Sequence, residues 1–390
     1  MKKKFALTAV AFLSAAVLAA CGAAPSSTTD ATGNEIGETL KIGYNLELSG
    51  AVAAYGNQEK NGADLAVEEI NAAGGVDGKK IEVVSKDNKS DNSEAATLST
   101  SLATEDKVSL ILGPATSGAV ASASPNATKA GVPLLTPSGT QDDLTSKDGK
   151  VEDFVFRTTF QDSYQGQVIA QYATENLSSK KAFVYYDASS DYAKGLYKAF
   201  KEAYKGEVIE ETYQSGDKDF QAALTKVKSK DFDTVVLLGY YTETGLITKQ
   251  AREIGIENPI LGPDGFSDSK FVEAAGAGNA TNVFYVAGYS TSVKLSEAKS
   301  ENFIKAYTDK FGEEPNMFAA LAYDSIYMAA EAAKGAKDSK ELAANLASLK
   351  DFDGVTGQMT IDEDHNPVKS AIMVELENGV QKSATAVEVK

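Results

Sequence analysis

Apolar and polar positions along this chain follow two alternating periods. Short apolar runs at 41–46, 80–85, 109–112 and 132–135 have the length of buried strands. Between them lie segments whose apolar residues recur on one helical face. The segment 58–72 (QEKNGADLAVEEINA) carries Ala63, Leu65, Ala66 and Ile70 in such a stripe and is stopped by Gly74-Gly75. A helix at 93–104 and an Ala/Ser-rich one between the third and fourth strands complete a strand–helix rhythm, which predicts a parallel sheet covered by helices. The rhythm resumes after an apolar run at 154–158. Helices at 164–176, 192–204, 220–228 and 243–254 alternate with strands at 182–186, 207–213, 234–238, 260–261 and 283–287. Three consecutive helices (297–311, 317–336 and 339–349) and two weaker strands (358–361 and 370–376) close the chain. Two doubly wound α/β lobes with a cleft between them are the expected architecture.

The pattern is organised around residues 108–140, VSLILGPATSGAVASASPNATKAGVPLLTPSGT. Each of its two strands ends in a small, hydroxyl-bearing turn, Gly-Pro-Ala-Thr-Ser-Gly and Thr-Pro-Ser-Gly-Thr, and the first turn opens directly into a helix. Free amides and the positive end of a helix dipole suit a carboxylate, and Ser and Thr hydroxyls add donors. In an open α/β sheet such turns lie at the carboxyl ends of the strands, where ligands bind. In the second half Gly262-Pro263-Asp264-Gly265 follows an apolar strand. Read alone it is a turn former. Set opposite the hydroxyl turns, the acid would complete a site for a zwitterion, with its carboxylate on the donors and its ammonium on Asp264.

The N-terminus reads differently. Lys2, Lys3 and Lys4 precede an apolar run over 5–18, too short to span a membrane, which ends in Leu18-Ala19-Ala20-Cys21. This resembles a bacterial lipobox. Residues 1–20 are expected to be a lipoprotein signal peptide, with Cys21, the only cysteine, lipidated. Residues 21–38 are expected to form a flexible tether, placing the protein on the extracytoplasmic face of the cell membrane. A formal net charge of −17 over 390 residues argues against a nucleic-acid partner.

Motifs for catalysis are weak. Residues 74–79 (GGVDGK) lack the spacing of a phosphate loop. The only histidine, His365, falls in Asp-Glu-Asp-His-Asn at 362–366, expected to be a solvated turn, with no metal site and no Ser-His-Asp triad. Ser-x-x-Lys occurs at Ser178–Lys181, Ser267–Lys270 and Ser296–Lys299 without the companion motifs of a Ser–Lys hydrolase.

The blocks LSGAVAAYG (48–56), EINAAGGV (69–76), RTT (157–159), QAR (250–252) and LGPDG (261–265) resemble, in order and across the chain from about Leu40, the branched-chain amino-acid-binding proteins of ABC importers. The resemblance implies a type I periplasmic-binding-protein fold, with lobes formed by 39–160 and 288–368 and by 161–287 and 369–390. Three crossovers would lie near 159–161, 287–289 and 367–370. It implies that Ser117 and Thr140 offer hydroxyls to the ligand carboxylate, and that Ser138 and Gly139 offer backbone groups. Tyr55 and Phe318 would line a side-chain pocket, Tyr192 and Tyr240 would close it, and Asp264 would bind the ammonium where the family usually has Glu. A disulfide of the best-known members would fall on Ser90 and Thr116 and so is missing here, which would leave the loop beside Ser117 more mobile.

The expected function is capture of leucine, isoleucine or valine by hinge closure and delivery to an ABC permease and ATPase supplied as separate chains. The protein is expected to be a monomer, without cofactor or enzyme activity. Alternatives are a receptor for alanine, a short amide or urea, and a secreted Ser–Lys hydrolase.

Overall fold

The computed structural model describes residues 31–293 and 297–387. The expected signal peptide, residues 1–20, and Cys21 lie outside them. Five parallel strands form the first sheet: β1 (Thr39–Leu46), β2 (Lys80–Asp87), β3 (Leu110–Leu112), β4 (Leu134–Thr136) and β5 (Val155–Arg157), in the order β2-β1-β3-β4-β5. Helices α1 (Ala53–Ala72), α2 (Asn92–Thr104) and α3 (Ser117–Ala130) make the crossovers. Residues Leu110–Leu112 and Leu134–Thr136 are buried throughout, as strands covered on both faces must be.

The second sheet contains β6 (Lys181–Asp187), β7 (Glu207–Tyr213), β8 (Thr234–Leu238), β9 (Ile260–Gly262), β10 (Val283–Ala287), β11 (Ala371–Glu377) and β12 (Val380–Val387), ordered β12-β11-β10-β9-β8-β6-β7. Helices α4 (Asp162–Glu175), α5 (Asp191–Ala203), α6 (Gln221–Lys228), α7 (Tyr241–Glu253) and α8 (Ser269–Ala275) flank it. The last two strands run antiparallel. Helices α9 (Glu297–Phe311), α10 (Met317–Ala333) and α11 (Ser339–Ala347) return to the first sheet, where α10 lies along α1. That approach is close enough that a Cβ on Gly62 would lie 1.9 Å from the Ala319 carbonyl oxygen, so only glycine fits there. The chain thus passes between the sheets three times, after β5, after β10 and before β11.

Several local expectations are corrected. Helix α1 begins at Ala53 rather than 58, which carries Tyr55 into its first turn. Residues 31–38 are no free tether. The Asn34 amide donates to the carbonyls of Ala103 and Val108, both at 2.8 Å, and the Ile36 amide donates to Lys337 O at 2.8 Å. Those buried hydrogen bonds and the buried Ile36 side chain bind the segment to the first lobe. His365 does sit in a turn, but it is buried rather than solvated. Its ring stacks on Phe156 at 4.2 Å and its Nδ1 lies 3.1 Å from Val155 O. Burial lowers its pKa, opposing the charged form.

Strand β12 was not foreseen. Its polar sequence, VQKSATAV, suits an exposed edge strand, where Lys382 pairs with Glu375 and Glu377. The turn before it, Asn378-Gly379, has both residues at positive φ, as a two-residue hairpin requires.

Candidate functional site

The carboxyl ends of β3 and β4 face those of β8 and β9 across the cleft. On the first-lobe side, Thr116 precedes α3 without capping it through its own side chain, and Val120 N makes the first helical bond, to Thr116 O at 2.9 Å. The helix therefore presents its first-turn amides at the cleft. The preceding turn is held from behind by the buried Glu47 carboxylate, which accepts from Ala115 N (3.0 Å), Thr116 N (3.1 Å) and Thr116 Oγ1 (2.8 Å). These bonds oppose the rise in the Glu47 pKa that burial causes. Neither expected disulfide position is idle: Thr116 bonds Glu47, and Ser90 Oγ donates to Ser49 O at 2.7 Å.

Ser117 and the second turn are joined directly. Ser117 Oγ accepts from Thr140 N and Gln141 N, each at 3.2 Å, which leaves the hydroxyl proton to be donated elsewhere. Thr140 Oγ1 is buried beside the Asp162 carboxyl, on which its hydroxyl acts as a donor, so that Thr140 joins the turn after β4 to the start of α4. Arg157, fully buried at the end of β5, donates to Gly139 O and Asp142 O (both 3.2 Å) and so fixes the backbone on either side of Thr140. Burial lowers the pKa of this guanidinium to about 10, and nearby Asp162 and Asp142 oppose that shift.

On the second-lobe side, Asp264 begins a short 3-10 turn directly after β9 and is buried. Tyr192 Oη donates to Asp264 Oδ1 and accepts from Gly265 N at 3.2 Å, while Asp264 N donates to Gln165 Oε1 at 3.0 Å. Burial raises the Asp264 pKa to about 6, against the lowering effect of the Tyr192 hydroxyl.

Aromatic rings complete the enclosure. Tyr55 stacks on Phe318 at 4.3 Å, Tyr192 lies flat on Tyr240 at 5.1 Å, and Tyr55 meets Tyr240 edge-on at 5.9 Å. The lobes also touch directly. Tyr55 Oη donates to Gly265 O (2.6 Å) and accepts from Tyr241 N (3.3 Å), and Tyr241 Oη donates to Ala51 O (3.0 Å). The cavity left between them is about 10 Å³, on the order of one water molecule, so this is a closed arrangement.

Eight of the nine ligand residues expected from the sequence line this one cavity: Tyr55, Ser117, Ser138, Thr140, Tyr192, Tyr240, Asp264 and Phe318. Gly139 does not. Its amide donates to Thr136 Oγ1 at 2.9 Å and its carbonyl faces Arg157, so it shapes the turn from behind. Ala115, Thr116 and Gly265 line the cavity as well. Sequence reasoning passed over Asp162, the first residue of α4. It is fully buried, and burial raises its pKa, with Asp264 adding to the rise and the Thr140 hydroxyl opposing it. Its only signal in the sequence was an acid beside the expected crossover at 159–161.

The hydrolase motifs fare otherwise. Lys181 pairs with Glu207 and Lys270 with Glu273 at the surface, away from the cleft, while Ser296 lies outside the described residues. Among the described residues no cluster of His, Cys, Asp and Glu could hold a metal ion, and no helix is long and apolar enough to cross a membrane.

Similarity to known proteins agrees with this geometry. The chain is 32% identical over 359 residues to the Leu/Ile/Val-binding protein BraC3 of Rhizobium johnstonii, covering 90% of this chain and 92% of that one. The crystal structure of the branched-chain amino acid transporter substrate binding protein LivJ from Streptococcus pneumoniae, in complex with isoleucine, is 56% identical. It superposes with a TM-score of 0.86 over 90% of this chain and 99% of its own. The leucine binding protein LivK of Thermotoga maritima is 30% identical, with a TM-score of 0.83 over 90% and 98% of the two chains. The model of the periplasmic binding protein family matches residues 39–381, across both sheets and the cleft that joins them. The chain belongs to that family.

Proposed function

We propose that this protein captures branched-chain aliphatic L-amino acids, leucine, isoleucine and valine, and hands them to an ABC permease. The observation that carries this reading is the opposition, across one apolar cavity, of the α3 amides and the Ser117 and Thr140 hydroxyls to the buried carboxylate of Asp264. A zwitterion satisfies both sides at once. A buried carboxylate needs a charged partner to offset its desolvation, and an ammonium supplies one. Tyr55, Phe318 and Tyr240 offer apolar surface to an aliphatic side chain. A short amide or urea would leave Asp264 unpaired, and alanine would leave the aromatic surface uncovered.

The two lobes, 39–160 with 288–368 and 161–287 with 369–390, would open to admit the ligand and settle around it less tightly than here, because a cavity of about 10 Å³ has no room for an amino acid. Ligand contacts divided between the lobes then favour the closed state, the form that a permease distinguishes from the open one. We further read Cys21 as the lipidated first residue of the mature chain, so that the receptor works at the outer face of the membrane; mass spectrometry of the mature N-terminus tests this. The ligand reading is tested by calorimetric titration with leucine, isoleucine, valine, alanine, acetamide and urea. Tight binding confined to the branched amino acids is expected. Preference for an uncharged amide would overturn it.

A further inference from the structure

Behind the two first-lobe turns lies a second buried acid, on the side away from the cavity. Glu59, on α1, has no exposed surface. Its Oε1 lies 2.5 Å from Ser138 Oγ, and Ser138 Oγ lies 2.9 Å from the carbonyl oxygen of Ala115. Ser138 belongs to the turn after β4 and Ala115 to the turn after β3, and both line the ligand cavity. The three groups therefore tie the two ligand turns to each other and to α1.

Counting protons fixes the direction of the chain. Ser138 has one hydroxyl proton and cannot make a full, two-centre donation to both Glu59 and Ala115 O. A backbone carbonyl cannot donate at all. Both short contacts are full hydrogen bonds, each with its own proton, only if Glu59 carries a proton, donates it to Ser138 Oγ and leaves the Ser138 proton for Ala115 O. The other carboxyl oxygen, Oε2, is buried without a partner, a condition far less costly for a neutral carboxyl group than for an anion. Charge placement agrees. The charged group facing Glu59 is Glu47, whose carboxylate already takes three donors from the β3 turn, and among the described residues no cation offsets a second negative charge beside it. The α10 segment packed on this part of α1 is apolar (Ala319, Ala320, Leu321, Ala322). Burial, with Glu47 adding to it and the contact with the Ser138 hydroxyl opposing it, raises the Glu59 pKa well above the ordinary carboxylate range.

We propose that Glu59 is a positioning residue of the ligand cleft: a neutral carboxylic acid that, through Ser138, holds the two first-lobe turns in the register at which they meet the ligand. The inference rests on the ligand reading above only for its functional consequence. It gives the two buried acids different roles: Glu47 is the anion that caps the β3 turn, and Glu59 is the proton donor that locks it to the β4 turn.

The test compares the wild-type protein with Glu59→Gln, which keeps a neutral donor, Glu59→Met, which keeps the volume without a donor, Ser138→Ala, and the Met/Ala double variant. Leucine affinity is measured by calorimetry, thermal unfolding without ligand monitors the fold, and infrared difference spectra (wild type minus Glu59→Gln) report a protonated carboxyl. Glu59→Gln should bind leucine within about threefold of wild type, and Glu59→Met about tenfold more weakly, the value of one lost hydrogen bond. The double variant should be no weaker than Ser138→Ala alone. A neutral-carboxyl band should be present in the difference spectrum. Wild-type affinity in Glu59→Met, additive losses in the double variant, or an absent band would overturn the proposal. The infrared arm needs neither ligand nor the Met variant. Absence of leucine binding by the wild type, with the band present, would instead sink the ligand reading and leave the proton assignment standing.

Discussion

Asp264 shows what a single residue costs a receptor and what it returns. Its pKa is raised from 3.8 to about 6 by burial. Between those values the folded protein binds a proton that the unfolded chain does not, so the group lowers stability as pH rises through the window and the penalty is complete above about pH 6. Asp264→Asn should therefore raise the unfolding temperature of the ligand-free protein at pH 7, by the equivalent of up to about 3 kcal/mol at 1.36 kcal/mol per unit. It should change nothing at pH 3, and it should lose leucine binding. Calorimetric scans at the two pH values check this; a variant that is less stable at pH 7 would contradict it. The same group sets the pH dependence of binding. An ammonium ligand favours the ionised form, so affinity should hold above about pH 6 and fall as pH drops below it, by up to about tenfold per unit, and a flat profile would contradict this. Asp264 was legible in the sequence because an acid lay between Pro263 and Gly265 after an apolar run. Asp162 and Glu59 were not, because an acid on a helix reads as solvated until its burial is seen.

The elements explain which parts of the fold the sequence announced. Strands β3, β4 and β8 are uninterrupted apolar runs, and β9 opens with Ile260 and Leu261, as burial on both faces demands. The start of α1 was missed because Ala53–Gly56 carries no helical stripe of its own; packing of Tyr55 on Phe318 decides it. Strand β12 was missed because its composition is that of an exposed edge, although Asn378-Gly379 announced a hairpin. Residues 31–38 looked like linker because their composition is small and polar, yet Asn34 makes two buried side-chain bonds. Asn34→Ala would leave the Ala103 and Val108 carbonyls unpaired and should cost about 1–3 kcal/mol in urea unfolding. Between elements, Tyr241 at the start of α7 bonds Ala51 across the cleft. Tyr241→Phe removes that bond from the closed form alone, so leucine should dissociate several-fold faster, about what one hydrogen bond is worth, with little change in ligand-free stability. A chase with radiolabelled leucine measures it, and an unchanged rate would show that the contact adds nothing to closure.

At the scale of the whole molecule, two parallel sheets are joined by three crossings, so that the ligand turns of one lobe face those of the other. Closure brings Tyr55, Phe318, Phe266 and Tyr241 into one apolar cluster that spans the cleft. That burial, added to the direct hydrogen bonds, helps hold the lobes together, and in the function proposed above the ligand would supply the rest by pairing charges that each lobe alone leaves incomplete. Two-lobed architecture and the ligand turns were readable from periodicity and turn composition, because both depend on local sequence. The depth of closure was not, because it depends on how side chains from distant segments interlock. The most direct test is a calorimetric comparison of L-leucine with 4-methylpentanoate, which lacks the ammonium, and with leucinamide, which lacks the carboxylate. Leucine should bind at least about 30-fold more tightly than either analogue, the lower bound for removing one partner of a buried charge pair. Equal affinity for leucine and 4-methylpentanoate would contradict the role given to Asp264, and equal affinity for leucinamide would contradict the role given to the α3 turn.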